Sequence, residues 1–165
     1  MPSALSSTAA FSDHLRYYHD CFTTQDVQTL RHEPRKRFGQ NFLRDELVIE
    51  KITRAISPRE DDHVVEIGPG EGALTSALIT SGCRMDAIEL DRDLRTRLLA
   101  NFSVHPKFAL HSADALTFGY SSLIADEEPL RVVGNLPYNI STPLIFRLLE
   151  AARYISDMHF MLQRE

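Results

Sequence analysis

Two segments of this sequence have the residue types to bind a nucleotide-like ligand and to act on an amine. The first is the glycine-rich stretch Gly68-Pro69-Gly70-Glu71-Gly72, and the second is Asn135-Leu136-Pro137-Tyr138. The glycine stretch follows a buried-strand pattern and precedes a helical one, as in sheets that bind ligands at the carboxyl ends of their strands. Its Gly-x-Gly-x-Gly spacing is one residue short of the dinucleotide pattern, so taken alone it is a weak signal.

The charge around the glycine turn distinguishes between possible ligands. Glu66 precedes the turn and Glu71 lies within it, and two carboxylates would repel a pyrophosphate. A sulfonium cofactor with an amino-acid tail has no phosphate and carries positive charge. The glycines would let the backbone approach such a ligand closely. We therefore predict that Gly68 and Gly70 bind S-adenosyl-L-methionine.

Two further acids follow the next two predicted strands. Glu89 lies at the end of the second strand, where a carboxylate can accept hydrogen bonds from both ribose hydroxyls. Asp114 follows the third strand and could accept a hydrogen bond from the exocyclic amine of the cofactor's adenine. Each alone could be a polar strand-end residue, but the two together after strands of one unit favour a cofactor site.

The Asn135-Leu136-Pro137-Tyr138 segment has the groups needed to methylate an adenine amine. The N6 lone pair is delocalised into the ring, and two acceptors would localise it: the Asn135 side-chain carbonyl and the backbone carbonyl near Leu136. Pro137 would stiffen the turn, and Tyr138 would stack on a base removed from its helix. The alternative for such a segment in isolation is a proline turn with a packed tyrosine.

The elements that must position these residues alternate between strand and helix. Strands are predicted at 64–67, 85–90, 107–111, 131–134 and 158–162, and helices at about 45–57, 73–81 and 92–102, with a last one starting at Thr142-Pro143. The buried stripe of the last helix is predicted to comprise Leu144, Ile145, Leu148, Leu149 and Ala152. This alternation predicts an α/β fold with a parallel sheet and right-handed crossovers.

Composition excludes several other classes of protein. The chain has 165 residues, 43% of them apolar, and a net charge of −5, which is typical of one globular domain without an overall basic field. The two cysteines fit no metal spacing, so no metal is expected, and free thiols indicate a cytoplasmic protein. No apolar run is long enough to span a membrane. Residues 1–34 have no sustained period and are expected to be a poorly ordered extension.

Six segments in order resemble the ribosomal small-subunit RNA adenine dimethyltransferases of the KsgA type over residues 35–165. They lie at 37–43, 65–70, 88–94, 114–118, 133–143 and 159–165. The resemblance implies a Rossmann-like class I methyltransferase sheet. Its implied reaction is N6-dimethylation of two adjacent adenosines near the 3′ end of small-subunit RNA, on the pre-30S particle, by an enzyme that is monomeric at full length.

The resemblance also implies a set of site residues. It implies that the cofactor contacts Gln40, Asn41, Leu43, Gly68, Glu89, Asp114 and Asn135. The residue types alone predicted no role for residues 38–43, where Gln40-Asn41 reads as a polar turn. The basic run 35–37 could contact RNA phosphates.

Large-subunit antibiotic-resistance methylases share the Asn-x-Pro-Tyr pattern. Leu136, Pro69 and the closing run 161–165 look more like the small-subunit branch. The family continues beyond this point with two more strands and a small helical domain, so we expect an exposed fifth strand, reduced stability and a tendency to associate. The alternative to an enzyme domain is a non-catalytic fragment, or an assembly factor that binds cofactor or RNA weakly.

Overall fold

The computed structural model describes residues 42–124 and 128–162. Within them the helices are α1 (Glu46–Ile56), α2 (Ala73–Ile79), α3 (Arg92–Phe102) and α4 (Tyr138–Glu150). The strands are β1 (His63–Ile67), β2 (Arg84–Glu89), β3 (Phe108–Ser112), β4 (Leu130–Leu136) and β5 (Ile155–Leu162). Short 3₁₀ helices span Tyr120–Leu123 and Ala152–Tyr154. The predicted α/β class is confirmed.

The five strands form one parallel sheet in the order β3-β2-β1-β4-β5. Every residue of the central strand β1 is buried, because helices cover both faces of a parallel sheet. The chain crosses from one side of β1 to the other between β3 and β4. This reversal creates a switch point beside β1, where the carboxyl ends of β1 and β4 diverge. β5 lies at the edge of the sheet, as predicted.

Two apolar cores lie on opposite faces of the sheet. One core packs Leu144 and Leu148 of α4 against Val65 and Val132 of the sheet. The other packs α1 and α2 against the alternate residues of the same strands, including Val64. Successive strand residues point to opposite faces, so β1, β2 and β4 each contribute to both cores.

Aspartates define the start of two helices. The Asp45 carboxylate accepts hydrogen bonds from the backbone N–H of Leu47 and Val48, at 2.9 and 3.2 Å, and so caps α1. Asp91 caps α3 by accepting from the N–H of Asp93 and Leu94, at 2.8 and 3.2 Å. Such caps satisfy amide groups that have no partner within the helix. The predicted starts of both helices are confirmed.

The predicted start of the last helix was wrong. The helix begins at Tyr138, and Pro143 lies inside it rather than at its first position. A proline there lacks the N–H that would bond to the carbonyl four residues earlier. The Ser141 hydroxyl donates to the Tyr138 carbonyl at 3.0 Å, and burial of Ser141 and Leu144 holds this first part of the helix against the sheet.

Two other details differ from the predictions. α2 ends at Ile79 instead of near residue 81, because the chain turns there and the Gly82 N–H donates to the Ile79 carbonyl at 3.1 Å. In the predicted stripe, Leu144 and Leu148 are buried, but Leu149 and Ala152 are exposed. Ala152 is exposed because α4 ends at Glu150 and a 3₁₀ helix follows.

Three polar side chains, one on each of β1, β2 and β3, form a cluster around a buried carboxylate. The Asp86 carboxylate on β2 lies 2.5 Å from a ring nitrogen of His63 on β1 and 2.5 Å from one of His111 on β3. Burial acts to raise the pKa of Asp86, but the hydrogen bonds from His111 and His63 outweigh it and hold that pKa well below its usual range.

No helix in the described part of the chain is long and apolar enough to cross a membrane.

Gly134 is required by close packing between β4 and β1. A Cβ at this position would lie 2.7 Å from the Ile67 carbonyl oxygen, and a backbone atom inside a sheet cannot move away cheaply. We predict that Gly134→Ala lowers the free energy of unfolding by about 1–3 kcal/mol. Urea unfolding monitored by circular dichroism measures this.

Gly119→Ala is the matched control for this prediction. A Cβ at Gly119 would meet no atom within 4 Å, and its φ of −88° suits alanine. This variant should change stability by no more than about 0.5 kcal/mol. Equal losses of stability in the two variants would show that contact with Ile67 does not limit position 134.

Candidate functional site

The strand register brings three predicted site residues to one level of the sheet. The last residue of β1 pairs with Gly134 on β4 and with Ile88 on β2. The residues that follow these three positions are Gly68, Asn135 and Glu89, and they therefore lie side by side at the carboxyl ends of the strands. The Gly68 N–H donates to the Ile88 carbonyl at 3.0 Å, which ties the turn to β2.

A cavity of about 320 Å³ opens at this end of the sheet. Its wall includes most of the predicted site residues: Leu43, Gly68, Gly70, Glu89, Asp114, Asn135 and Pro137. One cavity therefore joins the glycine turn, the two strand-end acids and the asparagine segment. Its size is suited to a small-molecule ligand.

Two of the predicted site residues that the structure describes, Leu136 and Tyr138, do not line this cavity. Leu136 is buried in the apolar core, so its side chain is structural and only its backbone remains available for the predicted role. The Tyr138 side chain is 60% exposed at the start of α4. Gln40 and Asn41 lie outside the described residues, as do the extension 1–34 and the basic run 35–37.

The glycine turn bends sharply between β1 and α2. Gly68 and Gly70 have φ values of +63° and +61°, which side-chain-bearing residues rarely adopt. A Cβ at Gly68 would meet no atom within 4 Å, whereas one at Gly70 would lie 3.0 Å from the ring of Phe42. The backbone at Gly68 is therefore open to a ligand, and Phe42 closes the other side of the turn.

The Glu89 carboxylate is held in place by two backbone N–H groups. One oxygen accepts from Asp91 at 2.9 Å, and the other accepts from Gly70 at 3.3 Å. Burial raises the pKa of Glu89, and these two hydrogen bonds oppose the rise. Because a carboxylate oxygen can accept more than one hydrogen bond, each oxygen can still receive a ligand hydroxyl. The arrangement suits the predicted contact with two ribose hydroxyls.

Asp114 follows β3 and lies in the wall of the same cavity. One of its carboxylate oxygens accepts from the Leu116 N–H at 2.9 Å. This hydrogen bond joins residues two positions apart, so it closes a tight turn and fixes the orientation of the Asp114 side chain. The fixed carboxylate is a suitable acceptor for an amine on a ligand that also reaches Glu89.

Glu66 is the most deeply buried acid of the cavity wall. Its side chain projects from β1, and its residue is only 2% exposed. Burial raises the pKa of Glu66 to about 7, a rise that the hydrogen bond from Thr75 opposes and the charge of Glu89 increases. The Thr75 hydroxyl lies 2.6 Å from a carboxylate oxygen. Glu66 can therefore gain or lose a proton near neutral pH.

The described residues of the cavity wall carry acidic but no basic side chains. The acids are Glu66, Glu71, Glu89, Asp91 and Asp114, and no lysine, arginine or histidine accompanies them. Asp91 is buried, and its Oδ2 atom has no hydrogen-bond partner among the described residues. A buried acceptor without a partner is costly. The wall is thus complementary to a ligand that brings positive charge and hydrogen-bond donors.

Phe42 and Asp91 are among the wall residues that sequence reasoning did not identify. Asp91 carried a usable signal, because an aspartate directly before the helical pattern 92–102 is typical of a helix cap. A cap at that place also lies beside the strand end that holds Glu89. Phe42 offered no such signal, since only the fold brings its ring against Gly70.

Comparison with known proteins yields one family and several solved structures. The profile of the family described as "Ribosomal RNA adenine dimethylase" matches residues 31–165. "Ribosomal RNA small subunit methyltransferase A" of Pseudomonas aeruginosa is 60% identical over 135 residues, which cover 82% of this chain and 50% of that protein. The chain thus spans about half the length of the relatives that it matches.

Two solved structures share the fold. The 23S rRNA methyltransferase ErmE is 35% identical with a TM-score of 0.63, and the match covers 74% of this chain and 48% of that one. A dimethyladenosine transferase from Plasmodium falciparum is 25% identical with a TM-score of 0.56, and the match covers 67% of this chain and 38% of that one. These similarities confirm the predicted Rossmann-like methyltransferase sheet.

The titration of Glu66 predicts a pH dependence of stability. Between the ordinary pKa of 4.5 and the folded-state pKa of about 7, the folded chain binds more protons than the unfolded chain does. Stability should therefore fall as pH rises through this window, by up to about 3 kcal/mol. Glu66→Gln cannot titrate and should lack this part of the decline. Urea unfolding at intervals from pH 4.5 to 8 measures the difference between variant and parent; identical profiles would contradict the assignment.

Proposed function

This chain belongs to the ribosomal RNA adenine dimethylase family, and we propose that it is the cofactor-binding and catalytic part of an S-adenosyl-L-methionine-dependent methyltransferase. The proposed reaction is N6-dimethylation of two adjacent adenosines near the 3′ end of small-subunit ribosomal RNA. The pre-30S particle in the cytoplasm is the proposed partner. The observation that carries the proposal is the single cavity shared by Gly68, Glu89 and Asn135.

The residues of the cavity fit the proposed cofactor. Backbone N–H groups hold the Glu89 carboxylate and the Asp114 carboxylate in place. There Glu89 would accept hydrogen bonds from the ribose hydroxyls, and Asp114 would accept one from the adenine amine. The acidic wall suits a ligand with a sulfonium and an ammonium group. When bound, S-adenosyl-L-methionine supplies an electrophilic methyl group and leaves as a neutral thioether. Leu43 would contribute apolar surface, with Gln40 and Asn41 as further proposed contacts from the resemblance.

Asn135 would act on the target amine. It is the second-last residue of β4, beside the glycine turn. Its side-chain oxygen and the Leu136 backbone carbonyl would each accept one N6–H, which localises the nitrogen lone pair. The proton that the nitrogen loses after methylation would pass to solvent. The positioning of the target amine and the oriented dipoles of its two acceptors would thus supply most of the rate enhancement, without a strong base.

Pro137 and Tyr138 would hold the target base in position. Pro137 precedes α4 with a φ of −66°, the value that its ring enforces. The exposed ring of Tyr138 at the next position offers a surface on which a base taken out of its helix can stack. Only a base rotated out in this way can bring its N6 amine into the cavity beside Asn135.

The choice between the two ribosomal subunits rests on sequence similarity. The relative at 60% identity is named for the small subunit, whereas the structure at 35% identity is a 23S RNA methyltransferase. Leu136 and Pro69 also favour the small-subunit branch by resemblance. We therefore propose small-subunit RNA as the substrate, and the large subunit serves as the comparison in the test below.

Methyl transfer by the chain itself tests the proposal. Incubation with labelled S-adenosyl-L-methionine and unmethylated small subunits should yield labelled N6-dimethyladenosine, and large subunits should yield none. Asn135→Ala should reduce transfer at least about 100-fold, because a placed acceptor is lost. The same variant should retain cofactor affinity within a few-fold, as measured by calorimetry.

Asn101→Ala is the matched control, because Asn101 is an exposed residue of α3 outside the cavity wall. It should leave transfer unchanged. Equal loss of transfer and of cofactor binding in Asn135→Ala would make Asn135 a binding residue only. Cofactor binding without any transfer to either subunit would favour the non-catalytic alternative for this chain.

A further inference from the structure

The cofactor and the product of the proposed reaction differ by one methyl group and one positive charge. S-adenosylmethionine carries a sulfonium, whereas S-adenosylhomocysteine carries a neutral thioether; both keep the ammonium and carboxylate of the amino-acid tail. The described wall of the cavity has five acids and no base. A wall of one sign responds to the charge of its ligand. It can therefore distinguish two ligands of nearly the same shape.

Glu66 is the most deeply buried acid of this wall. It is 2% exposed and forms none of the ion pairs found among the described residues. A buried carboxylate without a cation is unfavourable, and such a group takes up a proton instead. A cationic ligand in the cavity would supply the missing charge.

Resting on the proposed cofactor, we propose that Glu66 is a specificity residue that carries a proton in the free protein and releases it to solvent when a sulfonium ligand binds. The cavity then holds the cationic cofactor more tightly than the neutral product. Loss of the sulfonium charge during methyl transfer would favour return of the proton to Glu66 and thereby release of the product.

The groups that face Glu66 support this assignment. On β2, Glu89 adds a like charge that raises the pKa of Glu66 beyond the effect of burial. On α2, Thr75 offers a hydroxyl and no charge. The sheet partners of Glu66 on β2 and β4 are Ala87 and Val133, which are apolar. The packed elements therefore supply negative charge and one neutral donor.

Glu71 differs from Glu66 although it lies in the same wall. Its side chain is 29% exposed, and its oxygens lie 3.2 Å from Arg44 and 3.7 Å from Arg97. Two nearby cations already compensate this carboxylate. Glu71 therefore already has the opposite charge that Glu66 lacks, which makes Glu71→Gln the matched control for Glu66→Gln.

Isothermal titration calorimetry in two buffers of different ionisation enthalpy tests the proposal, because the difference in heat counts the protons released. With a pKa of about 7 in the free protein, S-adenosylmethionine should bind about eightfold more tightly at pH 7.5 than at pH 6, with proton release. S-adenosylhomocysteine should change less than about twofold. Sinefungin, which has a protonated amine in place of the sulfonium methyl, should behave like the cofactor.

The variants separate proton exchange from a merely structural role. Glu66→Gln should remove the pH dependence of cofactor affinity and bring the two ligands closer in affinity, while Glu71→Gln should keep the pH dependence. Thr75→Val removes the hydrogen bond that lowers the pKa of Glu66. It should therefore shift the midpoint of the pH dependence upwards. Circular dichroism verifies the fold of each variant.

Any of five outcomes would overturn the proposal. Equal pH dependence for cofactor and product would show that sulfonium charge is not sensed, as would sinefungin behaving like the product. A pH dependence that survives in Glu66→Gln would place the proton elsewhere. Binding of neither ligand would overturn the proposed cofactor itself, whereas tight binding of both without pH dependence would overturn only the role of Glu66.

Discussion

The parallel pairing of β1 with both β2 and β4 is the constraint on which the site depends. It brings the end of β1 level with Ile88 on one side and Gly134 on the other. The chain leaves the sheet at these points, and the turn, the strand-end acid and the asparagine all emerge at one edge. The close approach of Gly134 to the Ile67 carbonyl keeps this register tight. Without this register, Asn135 would not lie beside the glycine turn.

The second property of the site is its electrostatic character. The described residues of the wall include no base. Glu89 is held there by backbone amides, whereas Glu66 is buried without an opposing charge among the described residues. The backbone hydrogen bonds partly offset the rise that burial causes in the pKa of Glu89, whereas burial raises the pKa of Glu66 to about 7. Two carboxylates in one cavity can thus have different roles because their surroundings differ. The same contrast separates Glu66 from Glu71, which has arginine partners.

Local signals allowed much of the fold to be predicted from the sequence. Asp45 marks the start of α1 because a helix cap requires only a few neighbouring residues. Glu89 and Asp114 were predicted as site residues because each follows a predicted strand, which is also a local signal. The start of α4 was missed, since Pro143 is a strong local signal that the packing of Ser141 and Leu144 overrides. Phe42 was missed because its contact with Gly70 links parts of the chain separated by a helix and a strand.

The central claim is that the glycine turn and Asn135 enclose one ligand between them. A crystal structure of the chain with S-adenosylhomocysteine tests this claim most directly. We expect the ribose at Glu89, the adenine amine at Asp114, and the sulfur atom turned towards the Asn135 side-chain oxygen. A ligand bound outside this cavity, or a sulfur atom pointing away from Asn135, would contradict the account.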